Sequence, residues 1–154
     1  ITLACERPHW NVSTVDISPE ASRIAQENAR YLGANVRFLQ GDLVEPLVRE
    51  EAKLDILVSN PPYIPSRDVD ELDAEVREFE PRLALDGGTD GLDFYRRLCE
   101  ALPVLLKDKA IVAFEVGIYQ AKDVADLLRA SGVIHETEII CDLAGIERVV
   151  MGIR

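Results

Sequence analysis

Basic residues are scarce in this chain. Lys and Arg total 17 against 28 Asp and Glu, a formal net charge of −11 over 154 residues. A domain that works on nucleic acid carries a basic patch or stripe to neutralise phosphates. The basic pairs here are small, Arg96-Arg97 and Lys107 with Lys109. The balance disfavours DNA or RNA as a direct partner. Cysteine is also rare. Cys5, Cys99 and Cys141 are odd in number and far apart, with only His9 and His135 to assist them. That set offers no metal spacing and no disulfide framework, so all three are expected to be reduced packing residues. No histidine lies close to any of them in sequence, which disfavours a thiol nucleophile. No apolar run approaches the length of a membrane span. The stretch from Ile1 to Pro8 lacks the basic end and long apolar core of a signal peptide. A cytoplasmic protein with no membrane partner is expected. No repeat, low-complexity tract or flexible linker divides the chain.

What is present suits one globular domain over residues 1–154, with 47% hydrophobic residues to build a core. Strand and helix patterns alternate. Val12 to Ile17 is β-branched and ends near Asp16. Ser18-Pro19-Glu20 then supplies an N-cap, a proline at the first helical position and an early acid. Ala21, Ile24, Ala25, Asn28, Ala29 and Leu32 follow at helical spacing, and Gly33 stops the helix. Asn35 to Gln40 and Leu54 to Ser59 read as further strands. Pro65 to Asp90 reads as a long, acidic, irregular segment, of a length that is usually functional.

Leu92 to Leu106 presents Leu92, Tyr95, Leu98, Leu102 and Leu105 on one helical face, with Pro103 expected to bend or interrupt it. Ala110 to Val116 is a nearly continuous apolar strand, as in a sheet covered on both faces. Gln120 to Ser131 is a helix closed by Gly132. The link from Asp142 to Gly145 is too short for a crossover, so Thr137–Cys141 and Arg148–Ile153 form an antiparallel pair. The alternation predicts an α/β, doubly wound, Rossmann-like sheet, mostly parallel, with a C-terminal antiparallel hairpin. Trp10 and Tyr31 read as packing residues.

A nucleotide-type fold carries a glycine-rich turn after its first strand and an acid about 20 residues later. Asp16 fits the acid. Counting back places the glycine turn upstream of Ile1, and Ile1 to Arg7 reads as the tail of the helix that follows it. The expectation is a chain that lacks the first strand and its glycine loop. That strand is central in such a sheet, so strand edges should be left unpaired.

Three positions carry the chemistry. Asp16 can accept hydrogen bonds from both hydroxyls of a ribose. Gly41-Asp42, one strand later, reads either as a plain turn or as a carboxylate placed on an adenine amino group. The strongest signal is Asn60-Pro61-Pro62-Tyr63, directly after the third strand. Two prolines fix φ and remove two backbone donors, and the first biases Asn60 away from helix. A stiff, donor-poor turn headed by a carboxamide can hold a planar –NH2 group. An amide nitrogen is a poor nucleophile because its lone pair is delocalised. The Asn60 oxygen can accept one N–H and the Pro61 carbonyl the other, which orients the nitrogen and offsets its developing charge. Tyr63 can stack on the planar group and exclude water. No strong base is needed, since the proton can leave after transfer. The segments Phe79 to Arg82 and Leu85 to Gly91 read either as packing and turn or as pocket walls. The acids from Asp68 to Glu78 read as a solvated face.

Ser59 to Pro65, Glu75 to Leu85, Asp90 to Arg97 and Asp142 to Val150 closely resemble the HemK/PrmC family. Those proteins are class I S-adenosylmethionine-dependent methyltransferases. They act on the glutamine of the Gly-Gly-Gln motif in class 1 peptide-chain release factors and release S-adenosylhomocysteine. The tetrapeptide alone is shared with amino-methylating DNA and RNA enzymes; the later segments separate this family from them. The resemblance implies that Asp16 with Ile17 binds the cofactor ribose and that Asp42 and Leu43 border the adenine. It also implies that Asn60, Pro61, Pro62 and Tyr63 bind the glutamine amide and carry the catalysis, with Asn60 also near the cofactor. Leu43 stands where the family often has an aromatic residue, and the family's small N-terminal helical domain is absent from this chain. The alternatives are glutamine methylation of a ribosomal protein, amino-methylation of a base, and a non-catalytic binding module.

Overall fold

A computed structural model describes residues 1–73, 75 and 80–154. It divides into two compact units, Ile1–Ala52 and Lys53–Arg154.

The first unit contains α1 (Thr2–Glu6), β1 (Val12–Asp16), α2 (Pro19–Tyr31), β2 (Val36–Gln40) and α3 (Glu45–Arg49). β1 and β2 pair in parallel from Val12 beside Val36 to Asp16 beside Gln40. The start of α2 follows its sequence signals. Ser18 is the N-cap, and its Oγ accepts the Ala21 N–H at 3.2 Å. Such a cap contributes about 1 kcal/mol. Gly33, at φ +65°, closes the helix in the left-handed region. The apolar face of α2 behaves differently from expectation. Ala29 is buried, whereas Ile24 and Leu32 remain exposed and Tyr31 is 90% exposed. Tyr31 is therefore not a packing residue, and Trp10 is only partly covered, at 37% exposure. The helix α3 was not legible in the pattern. Five residues are too few to display a period, although Pro46 near its start and buried Leu47 explain it afterwards.

The second unit contains β3 (Leu54–Ser59), α4 (Ser66–Val69), α5 (Arg82–Leu85), α6 (Asp93–Leu105), β4 (Leu106–Glu115), α7 (Ala121–Ala130), β5 (Glu136–Cys141) and β6 (Glu147–Ile153). Its strands form one sheet in the order β3-β4-β6-β5. β3 and β4 are parallel, while β6 is antiparallel to both β4 and β5. β6 is thus the one reversed strand among the described residues, as a closing hairpin on a parallel sheet requires. The hairpin turn is held by Asp142, whose Oδ1 accepts the N–H groups of Ala144 and Ile146 at 2.9 and 3.0 Å.

The described strands fall into two sheets, with strand edges left unpaired as the sequence led one to expect. Among the described residues β1 pairs with β2 alone and β3 with β4 alone. Pro65 to Asp90 is also less irregular than its composition suggests, since it holds α4 and α5. Both are four residues long, again too short for a readable period.

The core lies between α6, α7 and one face of the four-stranded sheet. Tyr95, Leu98, Leu102 and Leu105 of α6 are at most 1% exposed, and so are Ala110, Val112 and Phe114 of β4. Each fully buried Leu or Phe contributes about 1.5–3 kcal/mol. The Tyr95 and Phe114 rings meet at 6.1 Å between centroids, tilted by 47°, a geometry that adds about 0.5–1.5 kcal/mol. Burial alternates along β4, and Ile111 is 36% exposed. The strand is therefore covered mainly on one face, not on both. Pro103 lies within the last turn of α6, and the helix runs through it to Leu105. Cys99 packs in this core, while Cys5 and Cys141 are exposed; only one of the three cysteines has the packing role expected of all.

Candidate active site

The first unit brings two of the predicted carboxylates to one end of its sheet. Asp16 is the last residue of β1, and Asp42 follows two residues after the end of its neighbour β2. The Asp16 Oδ1 accepts the Ser18 N–H at 2.8 Å, and its carbonyl accepts the Gly41 N–H at 3.1 Å. The side chain is thereby oriented at an exposed strand terminus, beside Ile17, which is 47% exposed. Gly41 allows the next turn to close: a Cβ there would stand 2.3 Å from Pro46 Cγ. Leu43 sits at φ +47°, a left-handed position uncommon for a branched side chain. The turn after β2 is thus a strained corner, a feature that recurs at ligand sites.

In the second unit β3 runs out at Ser59, and Asn60 to Tyr63 form the turn that follows. Pro61 is buried, Pro62 and Tyr63 are half-buried, and Asn60 is exposed. The Asn60 carboxamide hydrogen-bonds to none of the described residues. The turn is anchored on its far side. Ile64 forms a parallel bridge with Asp86: its N–H donates to Leu85 O at 3.0 Å, and its carbonyl accepts the Gly87 N–H at 2.8 Å. The Ser66 N–H donates to Gly88 O at 2.8 Å.

Asp86 ties the same two segments through its side chain. It accepts the Ser66 hydroxyl at 2.6 Å, the Gly88 N–H at 3.0 Å and Arg82 Nε at 3.2 Å. The Ser66 hydroxyl, followed by the Gly88 N–H, holds the Asp86 carboxyl below the ordinary aspartate range. Arg82 also donates to Asp70 at 2.8 Å and to Ser66 O at 3.3 Å. Of the two segments read as packing or pocket wall, Leu85–Gly91 abuts the turn directly and Arg82 braces it. Phe79 lies outside the described residues, as does Glu78 of the acidic run.

Two glycines make this contact sterically possible. A Cβ on Gly87 would stand 2.7 Å from Tyr63 Cα, and one on Gly91 would stand 2.3 Å from Tyr63 O. Gly91 also sits at φ +76°. A third neighbour, Gly117, follows β4, where a Cβ would be 2.9 Å from Tyr63 Cδ2. The side chain of Gln120 reaches the same place. Its Nε2 donates to Tyr63 O at 2.9 Å and to Gly91 O at 3.4 Å, and its Oε1 accepts the Gly117 N–H at 3.0 Å. Sequence reading placed Gln120 only at a helix start. The one signal that could have found its role is the glycine three residues before it, at the end of a buried strand.

Two other titratable groups are buried in the second unit. The Tyr95 phenol donates to Glu115 O at 2.6 Å, and burial raises its pKa well above the ordinary value. Burial likewise pushes the Cys99 thiol up to about 12, which makes it inert as a nucleophile. No group of His, Cys, Asp and Glu among the described residues could hold a metal ion, and no described helix is long and apolar enough to cross a membrane.

The model of the methyltransferase small domain matches residues 1–78. The chain belongs to that family. Its sequence is 50% identical over 150 residues to the release factor glutamine methyltransferase of Bacillus anthracis, covering 97% of this chain and 53% of that protein. It is 47% identical to the same-named protein of Bacillus subtilis, covering 97% and 52%. The chain thus spans about half the length of these curated relatives, and the HemK/PrmC resemblance holds over nearly all of it. A solved protein-(glutamine-N5) methyltransferase (release factor-specific) from Alicyclobacillus acidocaldarius is 28% identical, with a TM-score of 0.56 over 99% of this chain and 86% of that one. A methyltransferase from Pyrococcus furiosus, at 16% identity, has a TM-score of 0.65 over 98% of this chain and 68% of that one; this likeness speaks for the fold. The architecture is that of class I S-adenosylmethionine-dependent methyltransferases, and family and fold together imply S-adenosylmethionine as the methyl source.

Proposed function

We propose that this chain carries the catalytic machinery for methylating the side-chain amide nitrogen of glutamine in the Gly-Gly-Gln motif of class 1 release factors. One observation supports it above the rest: an exposed Asn60 carboxamide, bonded to none of the described residues, heads a turn that its neighbours hold from behind. The Asn60 oxygen accepts one N–H of the substrate amide, and the Pro61 carbonyl accepts the other. Prolines 61 and 62 contribute no donors that would compete for those acceptors. Tyr63 lies along the planar group and keeps water from it.

The donor set at the first unit's strand ends fits the nucleoside part of S-adenosylmethionine. Asp16 is an exposed carboxylate already oriented by the Ser18 amide, suited to a pair of ribose hydroxyls. Ile17 and Leu43 offer apolar surface, and Asp42 a second carboxylate for an adenine amine. When bound, the cofactor supplies a methyl group on a sulfonium and leaves as S-adenosylhomocysteine. The residues of the turn polarise and aim the amide; they accept charge as the nitrogen becomes positive, and the amide proton leaves to solvent afterwards.

The acidic composition supports a protein substrate over a nucleic-acid base. The deciding experiment incubates the full-length protein with a methyl-labelled donor and a release factor. Label is expected on the wild-type release factor and not on its Gly-Gly-Gln→Gly-Gly-Ala variant. No incorporation into either would refute the proposal.

A further inference from the structure

We infer that Gln120 is a positioning residue for the amide-binding turn, acting through the backbone of Tyr63; this rests on the reading of that turn given above. The geometry is unusually complete for one side chain. A carboxamide offers two N–H donors and a carbonyl acceptor. Here the amino group faces two backbone oxygens, Tyr63 O at 2.9 Å and Gly91 O at 3.4 Å, and the oxygen takes the Gly117 N–H at 3.0 Å. The assignment of oxygen and nitrogen is forced, since a flipped amide would set its oxygen against two carbonyls and its amino group against an N–H.

These three partners belong to three separate stretches of chain. Tyr63 follows β3, Gly91 precedes α6, and Gly117 follows β4. None of the three loops has a regular ladder to the other two at these atoms. Gln120 closes the gap from the first residue before α7, which is among the best-buried helices of the unit: Ala121, Val124 and Leu128 are fully buried. The side chain is itself half-buried, so its bonds are shielded from competing water. The turn is thus referenced to the core. Tyr63 O is fixed by Gln120, Ile64 by the bridge to Asp86, and Asn60 by the end of β3. Prolines stiffen the turn internally but cannot set where it stands. A side chain bound to Tyr63 O can.

Misplacing a reacting group by about 1 Å costs on the order of 10²-fold in rate. Loss of this clamp should therefore appear in kcat and in the release-factor KM, and not in cofactor affinity. The experiment compares wild type, Gln120→Glu and Gln120→Leu in the full-length protein. Gln120→Glu keeps the size and the acceptor for Gly117 but turns an oxygen toward the two carbonyls. Its kcat should fall about 10–100-fold at neutral pH while cofactor affinity by calorimetry stays within about twofold of wild type. Its activity relative to wild type should rise as pH falls, because the protonated carboxyl can again donate to Tyr63 O. A bystander residue gives no such inverse profile.

Amide hydrogen exchange supplies a readout independent of any substrate. In Gln120→Leu the amides of Ile64 and Gly117 should exchange at least about tenfold faster, with those of Val112 and Phe114 unchanged. Wild-type kcat in Gln120→Glu at neutral pH, or unaltered exchange at Ile64 and Gly117 in Gln120→Leu, would overturn the inference. Absence of methyl transfer by the wild-type protein itself would instead overturn the reading of the turn, and the exchange result would still decide the clamp.

Discussion

The two units differ in how they are held together. Among the described residues every large side chain that is fully buried, from Tyr95 and Phe114 to Val150, belongs to the second unit. The first unit buries Ala4, Ala29, Val44, Pro46 and Leu47, and leaves Ile17, Ile24 and Leu32 open. The proposed nucleoside-binding carboxylates stand on this thin two-stranded framework. The proposed amide-binding turn stands on a packed four-stranded one. Recognition of a flexible nucleoside needs a few oriented acceptors, whereas aiming a poor nucleophile needs a rigid platform. Substitutions in the two units should therefore fail in different ways.

Phe114→Ala should have the largest effect. It removes a fully buried ring and its Tyr95 partner, and should cost about 3–5 kcal/mol of unfolding free energy, read from denaturant midpoints. A loss below 1 kcal/mol would erase the contrast between the units. Gly87→Ala comes next. Its Cβ meets the Tyr63 and Pro62 backbone at 2.7–2.9 Å, so something in the turn must shift, at about 1–3 kcal/mol. A lower kcat with cofactor affinity intact is expected, and unchanged kinetics would show that the turn tolerates displacement.

Asp16→Ala should act oppositely. It should weaken cofactor binding about tenfold, in line with loss of a charge-assisted hydrogen bond, while sparing kcat at saturation. Stability read from the denaturant midpoint should fall only by the lost Ser18 hydrogen bond, about 0.5–1.5 kcal/mol. An unchanged calorimetric affinity would contradict the role given to that carboxylate.

The smallest effect is acid sensitivity at the hydrogen-bonded aspartates of the second unit. Arg96 chiefly holds the Asp90 carboxyl down, to about 2 from an ordinary 3.8, and Asp86 and Asp142 are lowered too. A depressed folded-state pKa contributes stability that is present above the unfolded value and lost as pH falls through the folded one. The contribution of the solvent-screened Asp90 carboxylate should fade between about pH 4 and pH 2. A carboxyl titration followed by NMR should place Asp90 near the low end, and Arg96→Gln should return it toward the ordinary range.

What could be read in advance divides along physical lines. β3 was legible residue for residue because a short apolar run met a proline turn. The cap of α2 was legible because Ser18, Pro19 and Glu20 each satisfy a local need of a helix start. The closing hairpin followed from a link too short to cross a sheet. Failures came where distance in sequence hides proximity. Gln120 and Tyr63 lie 57 residues apart, and nothing local to either announces the bond. Likewise the exposure of Tyr31 depends on what else covers α2, not on α2 itself. Asn60 to Tyr63 could be proposed as a site from residue types alone, but the platform that holds the turn, formed by Gly87, Gly91, Gly117, Asp86 and Gln120, could not be read that way.

The most direct test of the central claim is single-turnover methyl transfer to the release-factor glutamine by Asn60→Ala, at saturating cofactor and with folding checked by its denaturant midpoint. Removing the acceptor that orients the amide should slow transfer by about 10²–10³-fold or more while the midpoint stays within experimental error of wild type. A folded Asn60→Ala protein that transfers methyl at the wild-type rate would contradict the account.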